Sequence, residues 1–221
     1  MTGAIEKGGA RLVEWLCLSA LITAAFLGVP YWLCRLAHQA TPPFMRTPDW
    51  WYWMYHLVSL AFALLLTAGS WKRSGVRLGD VRPHWWKVLI VCGVPVAITA
   101  AVYPHLPERP FAREHMGIWL ISPLAQDLVF VGYIYGRLEP LLPRYVHRWV
   151  PVRWAMVAAA AFFAAHHLVN LQIMSVGFVA FQLCYTFLGC MAIGLSRQWT
   201  GSILYITLSH MAVNCIAWAI A

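Results

Sequence analysis

The chain has 221 residues, 61% of them hydrophobic and only 11% charged, with a mean hydropathy of +0.64. A soluble domain holds roughly 45–50% apolar and 25% charged residues, so a water-soluble globule is excluded. The net charge of +8 would suit nucleic acid, but the basic residues sit in short segments between apolar runs, the positive-inside pattern of a membrane protein.

Seven apolar stretches are predicted to be membrane spans: 12–33, 51–70, 85–103, 118–138, 152–171, 176–195 and 202–220. Several reach the roughly 18–20 residues that cross a bilayer as a helix. The first follows Lys7 and Arg11, is long for a signal-peptide core and is expected to stay uncleaved. The second opens on Trp50, Trp51 and Trp53. With Trp85, Trp86, Trp149 and Trp154, these tryptophans suit interfacial belts. "KRSGVRLGDVRP" precedes the third span and "YPHLPERPFAREH" the fourth; both are polar loops punctuated by Pro or Gly. "PLLPRYVHRWVPVR" carries three prolines and is expected to be a loop or a short interfacial helix. Cys17, Cys34, Cys92, Cys184, Cys190 and Cys215 lie in or beside the spans without a CxxC pair. They are expected to be buried apolar side chains rather than a disulfide framework or a thiolate zinc site.

With the N-terminus inside, Lys7, Arg11, Lys72, Arg73, Arg77, Arg82, Lys87, Arg137, Arg144, Arg148, Arg153 and Arg197 fall on the inner side. Only Arg35, Arg46, Arg109 and Arg113 fall outside. The fold class expected is an all-α polytopic membrane protein of about seven helices, N-in and C-out.

One acid lies well inside a span. "LAQDLVFVGYIYGRL" places Asp127, beside Gln126, in the fourth stretch. Such a residue is costly in hydrocarbon and marks a site by default. The other deep polar groups are His56, His166, His167, Asn170, Gln182, His210 and Asn214. At 1.5 Å per residue, Gln126 and Asp127 lie roughly 12–14 Å below the outer end of their span, His210 roughly 15 Å and Asn214 roughly 9 Å. His167 is a few residues from its outer end. Three helices thus bring polar groups to the outer half of the bilayer, where they can meet in one cavity. His210 and Asn214 are four apart and share a face; Gln126, Phe130 and Tyr133 form a second stripe. The competing reading is interhelical hydrogen bonding without chemistry.

These residues resemble the motifs of the CAAX-protease and bacteriocin-processing family (CPBP, or Abi), glutamic-type intramembrane endopeptidases. The family carries EExxxR followed by Gly, FxxxH, and HxxxN on separate helices. Here "QDLVFVG" stands in the first place, "FAAHHLVN" supplies Phe163 and His167, and "TGSILYITLSHMAVN" supplies His210 and Asn214. Phe162 with His166 is the other register of the second motif. The resemblance covers residues 118–221; residues 1–117, about three spans, carry no recognisable signature.

The resemblance implies peptide-bond hydrolysis by water activated at Gln126, Asp127, His167, His210 and Asn214, with Phe130, Tyr133 and Phe163 toward substrate. His167 and Asn214 would be oxyanion donors and His210 would place the water. The first motif departs from the family: Gln126 stands for the catalytic Glu, Asp127 for the second Glu and Val131 for the Arg. A Gln amide has no useful basicity, so three readings stand. Asp127 or His210 is the base; or the chain is a pseudoprotease that binds or escorts a membrane peptide; or Gln126 is an engineered replacement in an active enzyme. No cofactor is expected. Zinc on Asp127, His167 and His210 is an alternative without an HExxH pair to support it. A small transporter is another, without an inverted repeat. The partners expected are the lipid bilayer and a membrane-anchored or exported protein substrate bearing a C-terminal sorting tail, and no nucleic acid. The place expected is a bacterial inner membrane.

Overall fold

The computed structural model describes residues 2–40, 50–106, 116–172 and 174–220. Each expected span is helical: α1 Thr2–Ala40, α2 Trp50–Thr67, α3 Trp85–Val102, α4 Met116–Asp127 running through a π-helical segment Leu128–Ile134 into α5 Tyr135–Leu138, α6 Trp154–His166, α7 Val176–Thr200 and α8 Leu204–Ala219. A 3-10 segment, His167–Gln172, extends α6. Among the described residues, four helical stretches are long and apolar enough to cross a membrane: Gly9–Ala40, Arg82–His105, Trp154–Gln172 and Val176–Thr200. This is an all-α polytopic membrane protein.

The polarity is inverted in the way a bilayer demands. Leu21, Leu65, Leu89, Val176, Leu188 and Leu208 are exposed on the outside of the bundle. Buried Thr23, Thr67 and Thr99 return their hydroxyls to the carbonyl four residues back, at 2.8 Å each. Hydroxyls satisfied within their own helix can sit at any depth.

Two expectations are corrected. The proline-bearing stretch after α5 is neither plain loop nor helix. It forms an antiparallel hairpin, β1 Tyr145–His147 with β2 Val150–Arg153. Its prolines break a helix, while Tyr145, Val146, Val150 and Val152 favour extended backbone. Nor are the cysteines uniformly buried. Cys34 and Cys190 are, whereas Cys17 and Cys184 are exposed on the bundle surface. The first helix also outruns its expected span: 39 residues make about 58 Å, well beyond the hydrocarbon.

The core is built around the rod formed by α4, the π segment and α5. Leu128, Val129, Phe130, Val131, Ile134, Tyr135 and Leu138 are all buried. They pack on Ile22 and Phe26 of α1, Ala155, Met156, Ala159, Ala160 and Phe163 of α6, and Cys190 and Ile193 of α7. The alanines of α6 let helices approach closely, the usual basis of packing in membranes. Gly194 of α7 extends this, because a Cβ there would stand 2.5 Å from the Met156 sulfur.

The inner end is tied by one arginine. Arg197, 4% exposed, donates to the carbonyls of Ser74 (3.0 Å), Gly132 (3.0 Å), Arg73 (2.6 Å) and Val131. Its guanidinium lies over the Tyr135 ring at 4.8 Å. Within the π segment the Gly132 carbonyl still accepts from the Tyr135 N–H, while the Val131 carbonyl takes a donor from outside the rod. Arg197 supplies it and clamps the 70–80 loop at the same time. That loop is also held by Ser202 Oγ on the Arg77 carbonyl (2.5 Å) and by the Tyr205 hydroxyl on the Gly79 carbonyl (3.0 Å). Gly201 ends α7 with φ +69°, the left-handed cap that Gly adopts without penalty. Further along, Asp80 accepts from the backbone N–H and Nε of Arg82, at 3.1 Å each. The bond from the Arg82 side chain, with the backbone bond second, holds its carboxyl below the usual carboxylate range.

Gly136 permits the clamp. A Cβ at this position would meet the Arg73 carbonyl at 2.6 Å and Arg197 at 3.1 Å. Gly136→Ala is expected to cost ~1–3 kcal/mol, as overpacking does. A clear fall in the unfolding midpoint of the detergent-solubilised protein checks it; an unchanged midpoint would remove the clamp from the energetics.

Candidate active site

Three helices meet at Asp127. It sits at the last turn of α4, buried at 1% exposure, just before the π segment begins. Its Oδ1 lies 3.2 Å from Nδ1 of His210 on α8. A carboxylate only accepts, so the imidazole donates through Nδ1 and its Nε2 is left as the acceptor. Asp127 Oδ2 is buried and has no hydrogen-bond partner among the described residues.

Phe163 of α6 holds the imidazoles in place. Its ring meets His210 edge-on at 5.7 Å and His167 at 5.2 Å. His167 bonds the Phe163 carbonyl through Nδ1 at 3.0 Å, which again makes Nδ1 the donor. The α-helix ends at His166, and His167 opens the 3-10 segment. The two neighbouring rings therefore come within 5.0 Å of each other instead of diverging. His166 lies between Phe26 (5.5 Å) and Phe130 (5.6 Å), with a buried, unpartnered Nδ1. Both registers of the second motif thus reach the same cluster.

Of the other expected site residues, Phe130 packs into this cluster, whereas Gln126, Asn214 and Tyr133 turn to other partners. Gln126 turns its amide to Ser122 Oγ, 3.1 Å away on the same helix. Asn214 donates to the Trp119 carbonyl at 3.5 Å, the long end of hydrogen bonding. That carbonyl is available for a definite reason. Its helical donor would be the N–H of residue 123, and residue 123 is proline. Phe130 is fully buried among Phe26, Phe163 and His166. Tyr133 does not share its stripe. The π segment widens the turn between them, and Tyr133 instead meets Trp15 at 6.5 Å and Arg137 at 5.1 Å. Asp127, His167 and His210 do not form a metal-holding cluster, and no group of three His, Cys, Asp or Glu among the described residues does.

Residues 110–216 match the family model described as type II CAAX prenyl endopeptidase Rce1-like. This segment belongs to the CAAX-protease family. The match spans α4 to α8 almost to its end and contains all three motifs. It places a segment of this membrane protein in a peptidase family. No curated protein and no solved structure gives a significant match to the chain.

Against the family pattern, the structure adds a residue that the motifs do not contain. Where the first motif would have Arg, Val131 is buried and its carbonyl accepts from Arg197. The guanidinium reaches this turn from α7 rather than from the motif helix. The sequence offered no periodic signal for that exchange. Arg197 reads there as one more basic residue before "TGS".

Proposed function

We propose that the protein is an intramembrane endopeptidase in which the pair Asp127–His210, rather than Gln126, activates water. The observation that carries this reading is the 3.2 Å contact between a buried carboxylate and an imidazole from another helix. Asp127 fixes the tautomer, and Nε2 of His210 accepts the proton. The water oxygen attacks the scissile carbonyl carbon while its proton passes to Nε2. The tetrahedral intermediate then collapses with cleavage of the C–N bond, and the imidazolium returns the proton to the leaving amine. With its Nδ1–H committed to the Phe163 carbonyl, His167 as a neutral ring presents Nε2 as an acceptor and is not the oxyanion donor of this mechanism.

The substrate class follows from the depth of the site. Residue counting along the spans puts Asp127, His167 and His210 in the outer half of a bundle with its basic residues inward, which supports access from the outer side. A membrane-anchored or exported protein with a C-terminal tail, in a bacterial inner membrane, fits that access. Cleavage of such tailed peptides by purified protein in liposomes, lost in His210→Ala, is the expected result. Flux of a solute without cleavage would favour a transporter instead.

Gln126 is a bystander in this mechanism. Its hydrogen bond goes to Ser122, so Gln126→Ala is expected to change the cleavage rate by less than about threefold, under 1 kcal/mol. A hundredfold loss would put Gln126 in the machinery. A second reading, a silenced protease that only binds its peptide, is favoured by that same Gln126–Ser122 bond and by Val131. It requires wild type to be inert, with cleavage appearing in Gln126→Glu.

A further inference from the structure

A polar cleft lies beside α5, further along the rod from Asp127. It has a volume of about 350 Å3 and is lined by Arg11, Glu14, Trp15, Arg73, Arg137, Pro140 and Leu141. That volume is at the small end of the roughly 300–1,000 Å3 typical of ligand pockets. Three arginines face one glutamate across it, a surplus of two positive charges. They come from three separate elements: α1, the loop after α2, and α5.

Arg137 is the least exposed of the three. Its guanidinium stacks on Trp15 at 5.2 Å and on Tyr133 at 5.1 Å. Its Nε is buried and makes no hydrogen bond. Two rings that meet each other at 61° restrain the guanidinium from two sides and keep it beside the cleft. The Arg73 main chain is fixed as well, because its carbonyl is gripped by Arg197 at 2.6 Å. Arg137 is thus restrained at the cleft, the Arg73 backbone is held beside it, and arginine forks suit planar or tetrahedral oxyanions. Trp15 sits beside them as an interfacial ring would, at the end of the bundle where the positive-inside pattern puts the inner leaflet.

We propose that this cleft binds one phosphate group at the inner membrane surface. The chemistry is common to the phosphodiester of an anionic lipid headgroup and to free phosphate, and basic pockets between membrane helices take such headgroups. Glu14 opposes the anion and sets an upper limit on affinity. Its removal acts in the opposite direction to loss of any arginine.

The test uses the full chain in neutral detergent micelles at fixed ionic strength. It is titrated calorimetrically with dioctanoyl-phosphatidylglycerol, with dioctanoyl-phosphatidylcholine and with inorganic phosphate. Saturable one-to-one binding of phosphatidylglycerol, without binding of the choline lipid, is expected. Arg73→Gln and Arg137→Gln should each weaken it about tenfold, and Glu14→Gln should tighten it severalfold. The exposed position of Arg73 keeps that variant folded, and a gain from Glu14→Gln does not arise from misfolding. Binding of phosphatidylglycerol alone assigns the site to a headgroup; equal binding of inorganic phosphate assigns it to the free ion; both uphold the proposal. No saturable binding of either anion, equal binding of the choline lipid, or an affinity unmoved by the Arg73→Gln and Arg137→Gln changes together would overturn it.

Discussion

Asp127→Asn is expected to slow peptide cleavage about ten-thousandfold while leaving the protein folded. The carboxamide can still occupy the buried position and can still face His210 through an oxygen or through a nitrogen. What it loses is the fixed negative charge, and with it the preference for the tautomer that leaves Nε2 bare. An imidazole in the other tautomer offers the water a donor where an acceptor is required. Single-turnover cleavage of a tailed peptide in liposomes measures the effect. The unfolding midpoint, read in parallel, separates loss of chemistry from loss of structure. Full activity in a folded Asp127→Asn protein would sink the Asp–His mechanism, since nothing else in the proposal depends on charge at that position.

The second large effect concerns stability. Arg197→Met is expected to destabilise the protein by ~3–5 kcal/mol, the range seen when a buried charged hydrogen-bonding group loses one side of its contacts. The methionine fills much of the volume, but the carbonyls of Ser74, Gly132, Arg73 and Val131 lose their shared donor. In a bilayer no water replaces it. Arg197→Lys should recover only part of the loss, because one ammonium cannot span carbonyls presented by two separate segments in the way a planar fork does. Unfolding midpoints of both variants in the same detergent check the order. A methionine variant as stable as wild type would show that the loop and the π segment hold together without the arginine.

Much of this architecture was legible from apolar length alone. The seven stretches became helices because hydrocarbon leaves a backbone few other ways to satisfy itself, and period and length are enough to find them. The pairing of Asp127 with His210 was legible in a weaker sense. Their matched depth followed from counting residues, although their contact did not. What stayed hidden depends on breaks in the helical period. Facing was read at one constant turn angle, so Tyr133 was placed with Gln126 and Phe130. The π segment Leu128–Ile134 and the 3-10 turn at His167 changed the angle at the two motifs where it mattered. Neither break has a sequence signal of its own. Pro123 does have one, since a proline four residues after Trp119 guarantees a carbonyl without its helical donor.

That proline bears on how the motifs are related to each other. Trp119 and Asn214 are joined because position 123 has nothing to give. A chain with an ordinary residue at 123 would close its own helix, and the Asn214 carboxamide would be released to turn along α8 toward His210, one turn away. Where the third motif spends its amide is thus decided by a residue upstream of the first. Pro123 on α4 and Asn214 on α8 are coupled through the Trp119 carbonyl, so a substitution at 123 is felt at the third motif.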